Sequence, residues 1–430
     1  MRTVMVLCLV AFLASVCDAQ WVQTSLNSGR VSSFAVSGTN LFAGTDGGVF
    51  LSTNNGTNWM AVNSGLPYPY VSALGVSPNG AGGTNLFAGI GDGDCGIGVF
   101  RSTNNGTNWT PANSGLTDAS VHCFAVSGMN LFAGAVMQEA CGVGGVFLST
   151  NNGASWTIVN SGLLNPYVLS LAISGPNLFA GTYGGGIFLS TNNGTSWTAI
   201  NSDLTASLVH SLAVIPNGTV GTNLFAGTMD SWITGGVYLS TNNGTNWTPL
   251  NPSLWYNMVS VLAVSGTNLF VAMGNDEGDH SVFLSTNNGT NWTAVNTGLP
   301  PNTNVSSLAV NGEYLFAGTD SSGVWRRPLS EMVSVDENKV SMPDHFSLEQ
   351  NYPNPFNPST TITYSLPHTS SVALKVYDVL GREVVTPVNG VEEPGYKSVR
   401  FDATNLASGV YFYRLQAGSF VEAKKFILLK

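Results

Sequence analysis

Ser52-Thr-Asn-Asn-Gly-Thr-Asn-Trp59 decides the fold, because the octapeptide returns, with small changes before the tryptophan, at 102–109, 149–156, 190–197, 240–247 and 285–292. Each copy follows an apolar run of the type Asn-Leu-Phe-Ala-Gly…Val-Phe-Leu and precedes a short ending of the type Asn-Ser-Gly-Leu. Successive copies start 41 to 50 residues apart. A period of that length means stacked supersecondary units, each leaning on its neighbours, rather than one continuous core.

Residues 31–66 show the unit. Val31-Ser-Ser-Phe-Ala-Val36, Leu41-Phe-Ala-Gly44, Val49-Phe-Leu-Ser52 and Trp59-Met-Ala-Val62 alternate with turn sequences, the last turn being Asn54-Asn55-Gly56. Four antiparallel strands per unit with side chains alternating between faces describe a propeller blade. First strands begin at Val31, Val71, Val121, Val168, Val209, Val259 and Val305. Their fourth position is always large (Phe34, Leu74, Phe124 and so on) and their fifth always small (Ala35, Gly75, Ala125), so adjacent blades interlock. The last unit lacks a fourth strand, while Trp21-Val-Gln-Thr-Ser-Leu-Asn-Ser-Gly29 resembles Trp59-Met-Ala-Val-Asn-Ser-Gly65. The expected fold is therefore all-β: a seven-bladed β-propeller over 20–328, its N-terminal strand completing the last blade and removing open edges.

The octapeptide resembles the Asp-box, or bacterial neuraminidase repeat, of pattern Ser-x-Asp-x-Gly-x-Thr-Trp. Asn54 and its equivalents stand where that pattern has Asp. An asparagine oxygen can still accept a backbone N–H two residues on, and Gly56 supplies a positive φ. The lost charge argues against a metal in these turns. A motif repeated in every blade supports every blade, so Asn54, Gly56, Trp59, Trp109, Trp156, Trp197, Trp247 and Trp292 are read as framework. Burying about 200 Å² of each tryptophan gives a gross gain of about 5 kcal/mol per blade before entropy.

Binding, by contrast, is assembled from differences between blades. The loops between second and third strands are long in blades two, three, five and six, and they emerge on the same face as the connections between blades. Those loops carry Asp92, Asp94, Glu139, Asp230, Trp232, Asp276, Glu277 and Asp279. The connections carry Tyr68, Tyr70, Tyr167, Trp255 and Tyr256. These residues form the candidate ligand-binding set, an acidic and aromatic rim suited to a carbohydrate or a protein ligand. Solvated loops collect acids without any ligand, and aromatics there also cover neighbouring loops. Calcium suits such a rim chemically, but no residue set supports it, and no cofactor is expected. His122 and His210 share the second position of their first strands; with no third ligand evident, a metal there is not expected either.

Several activities are disfavoured. The Asp-box resemblance brings sialidases into view, but their Arg-Ile-Pro segment is absent. Only Arg30, Arg101, Arg326 and Arg327 lie between residues 20 and 327, too few and too scattered for an arginine triad. Xyloglucanases pair two such rings, and one is present here. The alternative to a binding or scaffold module is a carbohydrate-active hydrolase using paired rim carboxylates such as Asp94 with Asp230. The same stretch contains no lysine, nine Asp and three Glu, a balance that repels phosphate backbones and disfavours nucleic acid.

The chain's 430 residues hold only 9% charged side chains and 50 glycines, fitting short strands and tight turns. Residues 1–19 read as a signal peptide: Arg2, an apolar Val4–Val16 segment and a Cys17-Asp18-Ala19 cleavage site. No stretch is long and apolar enough for a transmembrane helix. Of the remaining cysteines, Cys95 and Cys141 occupy matching loop positions and are expected to form a disulfide, while Cys123 reads as a small buried residue. Residues 329–345 read as a linker. The segment 346–430, with Phe346-Ser-Leu-Glu-Gln-Asn-Tyr-Pro-Asn-Pro-Phe-Asn-Pro358, Val376-Tyr-Asp-Val-Leu-Gly-Arg382 and Leu406-Ala-Ser-Gly-Val-Tyr411, has the alternation of six or seven strands in a small β-sandwich, with its prolines holding the leading segment extended. These motifs resemble the C-terminal sorting domain of type IX secretion in Bacteroidetes-type bacteria. The resemblance implies recognition by that machinery and export through the periplasm to the surface or beyond.

Overall fold

The computed structural model describes residues 20–429 except 92–95, 117–118, 137–143, 218–221, 230–234, 251–257, 275–279, 302, 333–345 and 352–353. Two units are present, one ending at Val333 and the other beginning at Ser334.

Among its described residues the first unit contains seven four-stranded antiparallel sheets. Blade one is representative: Val31–Ser37, Asn40–Thr45, Gly48–Ser52 and Met60–Ala61, paired in sequence order. The innermost strands touch one another in cyclic succession, and Val305–Asn311 of the last blade returns to Val31–Ser37 of the first, closing a ring. In the second strands the run Leu-Phe-Ala, or Leu269-Phe270-Val271 in blade six, is buried on both faces, with Phe42, Phe87, Phe132, Phe179, Phe225, Phe270 and Phe316 at most 1% exposed. The large-to-small alternation has its interlocking role: a Cβ on Gly75 would come within 2.7 Å of Phe124 in the next blade.

The last blade is completed by the chain's own start. Val22–Gln23 pairs antiparallel with Val324–Pro328, Val22 opposite Arg326 and Gln23 opposite Trp325. Trp21, 2% exposed, donates its backbone N–H to the Thr297 carbonyl (2.8 Å) and its indole Nε1–H to the Val295 carbonyl (2.6 Å). Leu329–Met332, expected as linker, is a helical turn that buries Met332 against this blade.

Each octapeptide builds one tight turn from its own side chains. The Gly56 N–H donates to Ser52 Oγ (2.9 Å), and the Asn58 N–H donates to Asn54 Oδ1 (2.9 Å). The asparagine thus receives an N–H four residues on rather than two, because Asn55 (φ 53°) and Gly56 (φ 73°) are both left-handed and bring Asn58 back over it. The tryptophans do more than cover their turns. Trp109, Trp156, Trp197 and Trp247 each donate Nε1–H at 2.7 Å to a carbonyl of the preceding blade, from Val62, Ala112, Val159 and Ile200. Trp59 reaches Thr24 Oγ1 of the closing segment (3.0 Å). Arg101 and Arg326 stand where other blades have leucine, and each donates to a carbonyl in the adjacent blade's octapeptide turn, Asn152 and Asn55 respectively.

The second unit packs a three-stranded sheet (Ser347–Leu348, Ser359–Leu366, Gly395–Asp402) and a four-stranded sheet around one core. The four-stranded sheet orders Glu383–Glu392, Ser370–Tyr377, Gly409–Ala417 and Phe420–Leu428. The core holds Ile362, Leu374, Leu415, Phe426 and Leu428. In its leading segment the Asn354–Pro355 and Asn357–Pro358 bonds are cis. The segment is tied down by Ile427 N–H donating to Asn354 Oδ1 (2.9 Å) and Asn351 N–H donating to Tyr413 Oη (2.8 Å). Burial pushes the Tyr413 phenol up to about 12. Among the described residues no helix is long and apolar enough to cross a membrane.

Candidate functional site

Every innermost strand carries a β-bulge at the same place. In blade one Val31 pairs with Thr45 and Ser33 with Gly44, leaving Ser32 without an opposite number. The same slip leaves over Ser72, His122, Leu169, His210, Ser260 and Ser306. A bulge breaks the two-residue alternation and re-aims one side chain. All seven bulge residues line one pocket of about 290 Å³, which therefore lies on the ring axis. Arg30, Tyr70, Met229, Asn304 and Asp320 complete its wall. Because the bulges sit where inner strands begin, this is the face of the inter-blade connections and the strand 2–3 loops.

Hydrogen bonds between blades fix the wall. Ser72 Oγ donates to the Val121 carbonyl (2.7 Å), Ser306 Oγ to the Val31 carbonyl (2.9 Å), and Ser32 Oγ to the Val71 carbonyl. With their hydrogens committed, these hydroxyls present lone pairs to the pocket. His210 Nδ1 lies 2.8 Å from the Ser260 carbonyl, which can only accept, so the proton is on Nδ1 and Nε2 is an acceptor in the neutral ring. His122 has no hydrogen-bond partner among the described residues. Asp320 takes Arg30 Nε at 3.4 Å and Asn304 Nδ2–H at 2.6 Å.

Both histidines are exposed to solvent in the mouth of the pocket, with protein crowding their remaining sides. Burial, then the positive fields of His210 and Arg30, pull His122 down to about 4. His210 is lowered too, by burial first, with its bond to Ser260 opposing and Arg30 adding. Both are neutral at pH 7, in a pocket whose potential resists further positive charge. The other ring arginines are tied into the framework: Arg101 and Arg326 on octapeptide turns, and Arg327 on the Val295 carbonyl (3.0 Å).

Of the sequence-derived binding set, Tyr70 lines this pocket and Tyr68 is an exposed residue of the same connection. Tyr167 is half-buried and packs on Tyr183 with ring centroids 6.3 Å apart, the covering role open to loop aromatics. Asp92, Asp94, Glu139, Asp230, Trp232, Trp255, Tyr256, Asp276, Glu277 and Asp279 lie outside the described residues, as do Cys95 and Cys141. Cys123 hangs against its own blade, and burial pushes its thiol up to about 12. Sequence reasoning noticed the shared position of His122 and His210 but missed Arg30, Asn304 and the four serines. The available signal was that six of the seven residues at this position are Ser or His, in strands otherwise dominated by apolar residues.

Residues 91–326 match the family model described as the DUF6242 beta propeller domain, and residues 350–429 match that of the secretion system C-terminal sorting domain. No curated protein matches the chain. Among solved structures it is similar to the Niastella koreensis GH74 enzyme, with a TM-score of 0.57 and 15% identity over 94% of this chain and 67% of that one. It is also similar to YCF48 bound to D1 peptide, with a TM-score of 0.52 and 14% identity over 72% of this chain and 95% of that one. A third is the extracellular domain of a one component system from B. thetaiotaomicron, with a TM-score of 0.54 and 12% identity over 96% of this chain. This chain spans 59% of that structure's length. At these identities the likeness is one of fold.

Proposed function

The chain belongs to the DUF6242 β-propeller family, and from that premise we propose that it is an exported module that binds an extracellular ligand on the strand 2–3 loop face of its ring. Its C-terminal sorting domain marks export by the type IX system to the cell surface or outside. Residues 1–19 would be the signal that starts this route. The octapeptide is read as an Asp-box variant with Asn for Asp, supported by the Ser52 and Asn54 bonds that build its turn. The observation that carries binding is the axial pocket: seven bulges of the frame deliver side chains that differ from blade to blade. Two of the structures named above offer both ligand classes by analogy of fold: a GH74 enzyme and YCF48 bound to a peptide.

Between these, the pocket's hydroxyl and imidazole acceptors favour a carbohydrate. Hydrolysis would need a second carboxylate, since Asp320 is the one carboxylate among the described residues of the pocket, and it is paired. The test uses the chain from Gln20 to Lys430 on glycan and peptide arrays, with a reducing-sugar release assay run in parallel. Glycan binding without turnover is the expected result. Turnover abolished by Asp94→Asn or Asp230→Asn would make it a hydrolase, and silence on both arrays would overturn the binding reading.

A further inference from the structure

We propose that the axial pocket holds an acidic sugar, with its carboxylate against Arg30, His122 and His210 and its hydroxyls on the lone pairs that line the wall. This rests on the binding reading above and names the chemistry of the ligand. Three observations point the same way. First, the ring has no lysine, and three of its four arginines are engaged by framework carbonyls, so among the described residues Arg30 is the permanent cation facing the pocket and the two neutral imidazoles beside it are the groups that can gain positive charge.

Second, those groups repel one another: the Arg30 and His210 fields both act against a proton on His122. Among the described residues, the titratable and charged groups facing the imidazoles are Arg30, Asp320, Tyr70 and each other. Asp320, 3.4 Å from Arg30 Nε in a solvent-exposed pair and bonded to Asn304, offsets part of the arginine's charge and contributes to neither histidine's shift. A bound carboxylate would relieve the repulsion. The imidazoles would then take up protons and turn acceptor nitrogens into charge-assisted donors.

Third, the wall is rich in acceptors. Ser32, Ser72 and Ser306 have given their hydrogens to the next blade. A polyol supplies the donors such a wall calls for; a peptide C-terminus brings little beyond its carboxylate. Leu169 and Met229 add apolar surface for the C–H face of a sugar ring.

The test titrates the Gln20–Lys430 chain with sodium glucuronate, glucose and acetate while the histidine ring resonances are followed by NMR, with His122→Gln and His210→Asn used for assignment. Glucuronate is expected to move both resonances, raise both histidine pKa values and bind more tightly as pH falls from about 7 to about 5. Glucose and acetate, each offering half of the recognition, should bind more weakly. Arg30→Gln should weaken glucuronate about ten- to a hundredfold, with Arg30→Lys recovering part of the loss. Melting curves on the same samples separate lost binding from lost folding, and His210→Asn keeps a donor for Ser260. Imidazoles blind to glucuronate, or an affinity unchanged in a folded Arg30→Gln ring, would overturn the proposal. So would acetate binding as tightly as glucuronate. If Arg30→Gln leaves array binding intact, the ligand sits elsewhere on the face: the acidic-sugar pocket fails while the binding module stands.

Discussion

Within the octapeptide, two side chains with nearly the same neighbours differ in how much they hold. Ser102 is 1% exposed, and its Oγ accepts the buried Gly106 N–H at 2.9 Å while donating to Asn104 Oδ1 at 2.8 Å. Asn104 is exposed, and the N–H it accepts from Asn108 (3.0 Å) can turn to water once the side chain is gone. Stranding a buried donor costs more than freeing an exposed one. Ser102→Ala should therefore cost about 1–3 kcal/mol and Asn104→Ala about 0.5–1.5 kcal/mol, read from urea midpoints at constant slope. Asn104→Asp keeps both acceptor roles and should be close to neutral, as the Asp-box reading requires; a loss as large as that of Asn104→Ala would sink that reading. The repeat identified these residues, and Gly56 announced its positive φ. That Asn55 would be left-handed beside it was hidden, because asparagine adopts either hand and only the closed turn decides.

At the level of a strand, the two residues of Val22–Gln23 are too few to hold a ring by ladder bonds alone. The adjoining Trp21 makes the closure. It fills a buried site and shares the Val295 carbonyl with Arg327, whose Nη1 donates at 3.0 Å. Trp292 is the natural comparison: the same octapeptide position, only half-buried, with Nε1 lacking a hydrogen-bond partner among the described residues. Trp21→Ala should cost about 3–5 kcal/mol, as aromatic truncations in closed cores do, and Trp292→Ala visibly less. Thermal unfolding of the two variants decides; equal losses would mean that the N-terminal segment does not close the ring. This closure was legible because Trp21–Gly29 repeats the fourth-strand pattern and the last blade lacks one. The bulges were not legible. An extra residue in a strand leaves composition and apolar spacing almost unchanged, so the seven side chains meeting on the axis read as ordinary alternation. The site was accordingly sought in the variable loops, and of the residues named there the structure brings Tyr70 into the pocket.

Across the whole molecule, the histidines make ring stability depend on acid, and the direction follows from their depressed pKa values. An unfolded histidine titrates near 6.5, whereas folded His122 does so at about 4 and folded His210 is lowered as well. Between those values the unfolded chain binds more protons than the ring, so stability rises with pH across the window and is lost as pH falls from about 6.5 toward 4. Carboxylates of the sorting unit act in the same direction: Asp378 and Glu383 are both held low, by hydrogen bonds first. The two contributions separate optically, because all 10 tryptophans of the chain lie at or before residue 325, so indole fluorescence reports on the ring. The fluorescence-detected urea midpoint should fall steadily between about pH 6.5 and 4.5, and His122→Gln with His210→Asn should flatten that limb. Glucuronate, by stabilising the protonated imidazoles, should flatten it in the unmutated ring and do nothing in the double variant. A limb that persists unchanged in the double variant would place the acid sensitivity outside the axis, and the link between protonation and the pocket would be lost with it.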